Sequence, residues 1–247
     1  VINRVKDMYG NTLEHDTIQF VHHFPKPGDI AFTEIMADPL PVVNLPDMEY
    51  VEIQNISAFT INLENWTIST SSVQKHLTKT FLIPGERVIL CHADAVNDFE
   101  EHGEVMGIFT SVYTLPNGGT KLTLFSPDGL AIDSVNYFVS WHGDEGSREG
   151  GYSLEKIDVN RFCAPEDNWT SSVHPNGGTP GTLNSVNAFN PDTLAPQILK
   201  AEMDGDTIAK IFFNETLDEM YLSNENFVLG GLDNQLDSFL YLPGESL

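Results

Sequence analysis

Positive charge is scarce in this 247-residue sequence: 12 Lys and Arg stand against 36 Asp and Glu, a formal charge of −24. Such a field repels nucleic-acid phosphates and anionic lipid headgroups, and counterion release cannot drive binding where few cations neutralise phosphate. No nucleic-acid partner is expected. The acidity implies a solvated, soluble surface, with weak calcium binding by surface carboxylates as the alternative. Long apolar runs are also missing. None approaches the ~18 residues that a membrane span needs, and no basic segment followed by an apolar stretch heads the chain, so a signal peptide is expected to be absent or removed. Cysteine is limited to Cys91 and Cys163, too few for a disulfide framework and neither in a CxxC pair nor near a histidine at zinc spacing. Both follow apolar stretches ("RVILC", "VNRFC"), which favours buried thiols and leaves a disulfide open.

Catalytic signatures are absent as well: there is no GxSxG, HExxH, Walker or dinucleotide fingerprint. Catalysis requires a nucleophile with a base and an orienting group, or a metal cage. "WHGDEG" offers His142, Asp144 and Glu145 together, but neighbouring positions in a glycine-rich loop rarely converge on one point. His22 and His23 sit beside a proline-containing linker, where exposed, unligated imidazoles are expected. Asp204 to Asp206 in "EMDGD" lack the spaced ligands and terminal glutamate of a calcium loop and read as a turn. Trp66 and Trp169 suit core and tail packing better than sugar-stacking platforms. The expectation is a protein that is not an enzyme, with no catalytic, cofactor-binding or metal-ligating residue.

What the sequence has in quantity is strand signal. β-Branched and aromatic residues alternate in "DIAFTEIM", "EYVEIQN", "FTINL", "RVILC", "KLTLF", "AIDSVNYF" and "GYSLEKI", punctuated by "LPDM", "IPGE", "LPNGGT", "SPDG" and "GDEGSREGG". In "FSPDGLAIDSV", Pro127 presets φ, Asp128 supplies a side-chain acceptor and Gly129 is free to take positive φ, which predicts a tight hairpin turn. "EYVEIQN" sets Tyr50, Glu52 and Gln54 against Val51 and Ile53, one wet face and one buried. Only "HADAVNDFEEHG" has room for a helical turn or two. Short strands with frequent turns predict an all-β, two-layer antiparallel sandwich over residues 28–190. Proline-rich "HHFPKPG" and "NPDTLAP" bound it as stiff linkers.

The order "EIMADP", "EYVEIQN", the Asn-Gly-Gly hairpin with "DGLAIDSVNY", and "GGTPGTLNS" resembles the lamin tail domain family in its bacterial form, over roughly Gly28 to Asn187. The resemblance implies an immunoglobulin-like β-sandwich used for association and display. No heptad repeat accompanies it, so a filament role is not supported. The flanks resemble something else. "VKDMYGNTL" with "DTIQFVHHF" looks like the closing strands of an Ig-like domain of exported bacterial surface proteins (residues 1–27 with the linker). "APQILKAEMDGDTIAKIFFNETLDEM" looks like the opening strands of another (residues 191–247). The expectation is therefore a display module of a large exported surface protein, with a protein or cell-surface partner. The alternatives are an accessory segment of a secreted hydrolase or nuclease, and a carbohydrate- or wall-binding module. Because open strand edges invite pairing, residues 1–24 are expected to pair with strands from 195–247, within the chain or across a dimer.

Overall fold

The computed structural model describes residues 1–18, 23–111, 113–161, 166–215, 217, 219–227 and 238–240. Of the described residues 36% are strand and 11% helix, the all-β balance that the turn-rich sequence implies. A first hairpin pairs β1 (Ile2–Lys6) with β2 (Thr12–Asp16). The central unit then runs through β3 (Ile30–Met36), β4 (Tyr50–Asn55), β5 (Ile61–Asn62), β6 (Thr67–Ser69), β7 (Gln74–His76), β8 (Phe81–Leu82) and β9 (Arg87–His92). It continues through β10 (Glu104–Phe109), β11 (Gly119–Phe125), β12 (Ala131–Phe138), β13 (Leu154–Lys156) and β14 (Trp169–Ser171). A last hairpin pairs β15 (Ile198–Asp204) with β16 (Ile208–Phe213).

Two sheets face each other in the central unit: a six-stranded one in the order β10-β9-β4-β3-β13-β14, and a four-stranded one in the order β12-β11-β6-β7. The oily core lies between them. Phe32, Ile35, Val51, Ile53, Val88 and Leu90 from the first sheet meet Ile68, Leu122, Leu124, Val135 and Tyr137 from the second, with Trp66 buried among them. The register of β3 against β4 shifts between Phe32 and Glu34. This bulge lets Phe32 and Ile35 both face the core although they are three positions apart. The turn at Pro127 to Gly129 closes as its residues dictate: Gly129 has φ +85°, Ser126 donates through its backbone to Leu130 at 2.9 Å, and its hydroxyl reaches Asp128.

Two expectations about this unit are corrected. The sandwich is not wholly antiparallel, because β9 and β10 pair in parallel. "HADAVNDFEEHG" supplies the cause: 3-10 turns at Ala93–Ala95 and Glu100–His102 flank helix α1 (Val96–Phe99), and this crossover returns the chain to the same end of the sheet, as a parallel pair requires. Nor is one face of β4 wet. Tyr50 and Glu52 are fully buried and Gln54 nearly so. Met36, Tyr50, Ile89 and Cys91 form a second small core with Ala95 and Phe99 of the crossover, where the Tyr50 and Phe99 rings meet edge-on at 5.2 Å.

The flanks correct the expectation that they pair with each other within the chain. Each hairpin pairs with itself, and among the described residues the two share no sheet. A short local turn closes at far lower entropic cost than a loop spanning the whole sandwich. At the first tip Asp7 accepts from the backbone of Tyr9 and Asn11, both at 2.9 Å. The strand also falls earlier than expected, at Thr12–Asp16; Gln19 to His22 of "DTIQFVHHF" lie outside the described residues, as does most of "NFVLGG".

Candidate functional site

His142, Asp144 and Glu145 do not converge. Asp144 caps helix α2 (Glu145–Arg148), accepting from the Ser147 backbone at 2.9 Å and the Ser147 hydroxyl at 2.8 Å. Glu145 is exposed. His142 turns the other way, its Nδ1 2.6 Å from Ser171 Oγ, and burial pushes its imidazole down to about 4, so it is neutral at physiological pH. His142 borders a small cleft shared with Asp38, Asn117, Tyr137 and Arg148. The guanidinium of Arg148 donates through Nε to the His142 carbonyl at 3.0 Å.

His23 is not the free imidazole expected of a linker. Its Nε2 lies 2.5 Å from Asp29 Oδ2 and its ring stacks on Phe59 at 4.2 Å. The linker turns back at Lys26, whose backbone also donates to Asp29 at 2.9 Å, and this brings the imidazole onto the sandwich. His22 lies outside the described residues. Asp204 pairs with Lys210 at 2.7 Å across the tip of the last hairpin. Trp66 and Trp169 are both buried. Cys91 is a free, buried thiol, raised to about 11 by burial and by the nearby Asp98 charge; Cys163 lies outside the described residues. No group of three or more His, Cys, Asp or Glu side chains among the described residues is placed to hold a metal ion.

The densest polar constellation lies instead on the outer face of the six-stranded sheet, built from Glu34 on β3, Glu52 on β4 and Glu155 on β13, each fully buried. A strap of residues 172–188 lies over them. Glu34 Oε1 accepts from Tyr50 Oη at 2.7 Å, Ser153 Oγ at 2.6 Å and the Thr179 backbone at 2.8 Å. Glu52 accepts from Thr33 Oγ1 at 2.6 Å and the Gly181 backbone at 2.5 Å. Glu155 accepts from Thr179 Oγ1 at 2.9 Å, Ser185 Oγ at 2.8 Å and the Val186 backbone at 3.1 Å. Close approach is possible because Gly178 has no side chain: a Cβ there would lie 2.6 Å from Glu34 Oε1. Asn184 completes the fastening by donating to the Thr33 and Lys156 carbonyls, each at 2.8 Å.

Burial holds the Glu34 and Glu52 carboxyls well above the usual carboxylate range; repulsion from Glu155 adds to it at Glu34, and repulsion from Glu34 adds to it at Glu52. Arg87 Nε is 3.2 Å from Glu52 Oε1, but its N–H is not aimed at that oxygen, so the pair is electrostatic only. Glu49 repeats the pattern at the end of the sheet. It accepts from the Thr114 and Leu115 backbones at 2.7 and 2.8 Å, and burial raises it to about 7. Asn55 donates to the Phe59 and Leu82 carbonyls, both at 2.7 Å. These carboxylates and amides are engaged in holding loops, and the hydroxyls beside them, on Thr33, Ser153, Thr179 and Ser185, are spent as donors to the same acids. The sequence hints were the glutamates of "TEIM", "EYVEIQN" and "SLEK". What concealed them was alternation, which assigns a polar face of β4 to solvent.

The central unit is thus a two-sheet Ig-like β-sandwich whose buried acids fasten its own backbone. Residues 24–138 match the family model of the Lamin Tail Domain, a family of β-sandwich interaction domains. The match ends with β12, so β13, β14 and the strap lie beyond it. No curated protein matches the sequence. No helix of the described residues is long and apolar enough to cross a membrane.

Proposed function

We propose that this chain is a non-catalytic display module of a large exported bacterial surface protein, associating with a protein or with the cell wall. The observation that carries the reading is the use of the polar groups: Glu34, Glu49, Glu52 and Glu155 all accept bonds from the domain's own backbone and hydroxyls, which suits a rigid scaffold and not a reacting centre. Two further features support it. The flanking hairpins expose Val5, Leu13, Leu199 and Met203, as strands do that belong beside further β-structure. The charge of −24 disfavours nucleic acid as the partner.

The test is retention of the purified chain on isolated bacterial walls, on wall-associated proteins and on duplex DNA. Saturable retention on walls or their proteins, with none on DNA, is the expected result. Salt-sensitive retention on DNA, or turnover of a glycan, ester, peptide or nucleic acid that is lost in His142→Ala, would overturn the reading and favour a hydrolase or nuclease context.

A further inference from the structure

The pentapeptide Pro-Asn-Gly-Gly-Thr occurs twice, at 116–120 and at 175–179. Asn-Gly is the dipeptide most prone to a self-reaction in which the glycine nitrogen attacks the preceding side-chain amide, because glycine neither shields its nitrogen nor restricts its backbone. The reaction needs that nitrogen free of hydrogen bonds and the local chain able to move. The fold treats the two copies oppositely.

In the second copy the Gly177 nitrogen donates to the His174 carbonyl at 2.9 Å, and its carbonyl accepts from Ser153 at 2.8 Å. Gly177 is buried with φ +88°, and a Cβ on it would lie 2.2 Å from the Gly151 carbonyl oxygen. Thr179 is fastened to Glu34 and Glu155. The nucleophile is engaged and the segment is clamped.

In the first copy the chain is pinned on either side of an open tip. Glu49 holds Thr114 and Leu115, and the Pro116 carbonyl accepts from Tyr137 Oη at 2.9 Å and from the Gly119 backbone at 3.0 Å. Asn117 and Gly118 between them are exposed. Nothing lies within 4 Å of a Cβ built on Gly118, and its nitrogen donates to no acceptor among the described residues. Asn117 Nδ2 donates to Asp38 Oδ2 at 2.5 Å.

We propose that Asn117 is a site of spontaneous deamidation in the native protein and that Asn176, in the same pentapeptide, is protected. The Gly118 nitrogen bonds to the Asn117 side-chain carbonyl carbon and gives up its proton to solvent. The bond from that carbon to Nδ2 breaks, and Nδ2 leaves as ammonia, taking a proton from solvent. Water then opens the cyclic imide at either carbonyl. One product is aspartate at 117; the other is isoaspartate, with the main chain rerouted through the side-chain carbons. Either product places a carboxylate where an amide donor had met Asp38. An attraction becomes a repulsion at the mouth of the cleft bordered by His142 and Arg148, so the contact between the end of β3 and the loop leading into β11 is lost.

Ageing the intact chain at mildly alkaline pH and physiological temperature, followed by peptide mapping, tests this. The peptide containing Asn117 should gain about one dalton and split into two isomers, with isoaspartate detected by enzymatic methyl transfer. It should do so about tenfold or more ahead of the peptide containing Asn176, whose reaction must wait for local opening. In strong denaturant the two rates should converge, since the pentapeptides are identical. The early acidic variant seen on ion exchange should vanish from Asn117→Asp and persist in Asn176→Asp. Equal native rates, or Asn176 reacting first, would overturn the proposal, as would an Asn117 no faster than asparagines outside Asn-Gly.

Discussion

The inner face of the six-stranded sheet and the part of its outer face that lies under the strap are both buried, by opposite chemistry. Inward, Phe32, Ile35, Val51 and Ile53 pack against the second sheet and Trp66. Outward, Glu34, Glu52 and Glu155 receive the strap's N–H and O–H groups. The inner face gains from removal of apolar surface, which has no direction and tolerates small shifts. The outer face depends on directed bonds to desolvated acids, where a missing partner costs more than a present one contributes. Covering a sheet thus has two solutions, and only the oily one shows plainly in residue composition. The flanking hairpins have neither: their apolar side chains stay exposed and their ion pairs, such as Lys210 with Asp204, lie at the surface.

The largest effect should come from the inner face. Trp66→Ala leaves a cavity between the sheets and is expected to cost about 3–5 kcal/mol in urea unfolding; a loss below about 1 kcal/mol would show that this face is not the main source of stability. On the outer face, Glu34→Ala strands Tyr50 Oη, Ser153 Oγ and the Thr179 nitrogen, with an expected loss of about 2–4 kcal/mol. Glu34→Gln, which keeps an acceptor in place, should lose less. Hydrogen exchange should speed up across the strap in the alanine variant and stay slow around Leu122 and Leu124. Uniform acceleration would mean the two faces fail as one.

The outer face should also respond to pH where the inner face does not. Glu34, Glu49 and Glu52 hold their protons in the folded chain at pH values where the unfolded chain has released them. Their contribution is fully present below the unfolded carboxyl range and is lost as pH rises through the folded values. Stability should therefore decline from about pH 5 to pH 8, the range over which Glu49, raised to about 7, ionises. Glu49→Gln should remove its share of that slope, about 2–3 kcal/mol across the window, while Trp66→Ala should leave the slope unchanged. A flat profile in the unaltered chain would contradict the assignment. The smallest effect belongs to the flanks. Removing residues 1–18, or Lys210→Ala, should change the unfolding midpoint of the sandwich by less than about 0.5 kcal/mol equivalent, because each hairpin closes on itself. A large drop would restore the pairing between flanks that the described strands do not make.

Local chemistry alone determined much of this chain. Alternation and turn residues specified the strands, Pro127 to Gly129 specified their hairpin, and the motifs from "EIMADP" to "DGLAIDSVNY" carried the likeness to the lamin tail domain, whose family model matches residues 24–138. All of these act between near neighbours, where spacing translates directly into geometry. The tertiary structure decided what depends on distant partners. It folded a helical crossover over β4 and so made β9 and β10 parallel. It buried Glu34 and Glu52 under a strap that lies more than a hundred residues away in sequence. It also gave one Pro-Asn-Gly-Gly-Thr to solvent and clamped the other. An acidic side chain in a strand reads as solvent-facing until something brings enough donors to satisfy it. Those donors come from the tail, which no local pattern places over the sheet, so the sequence could name the residues of the outer face but not their burial.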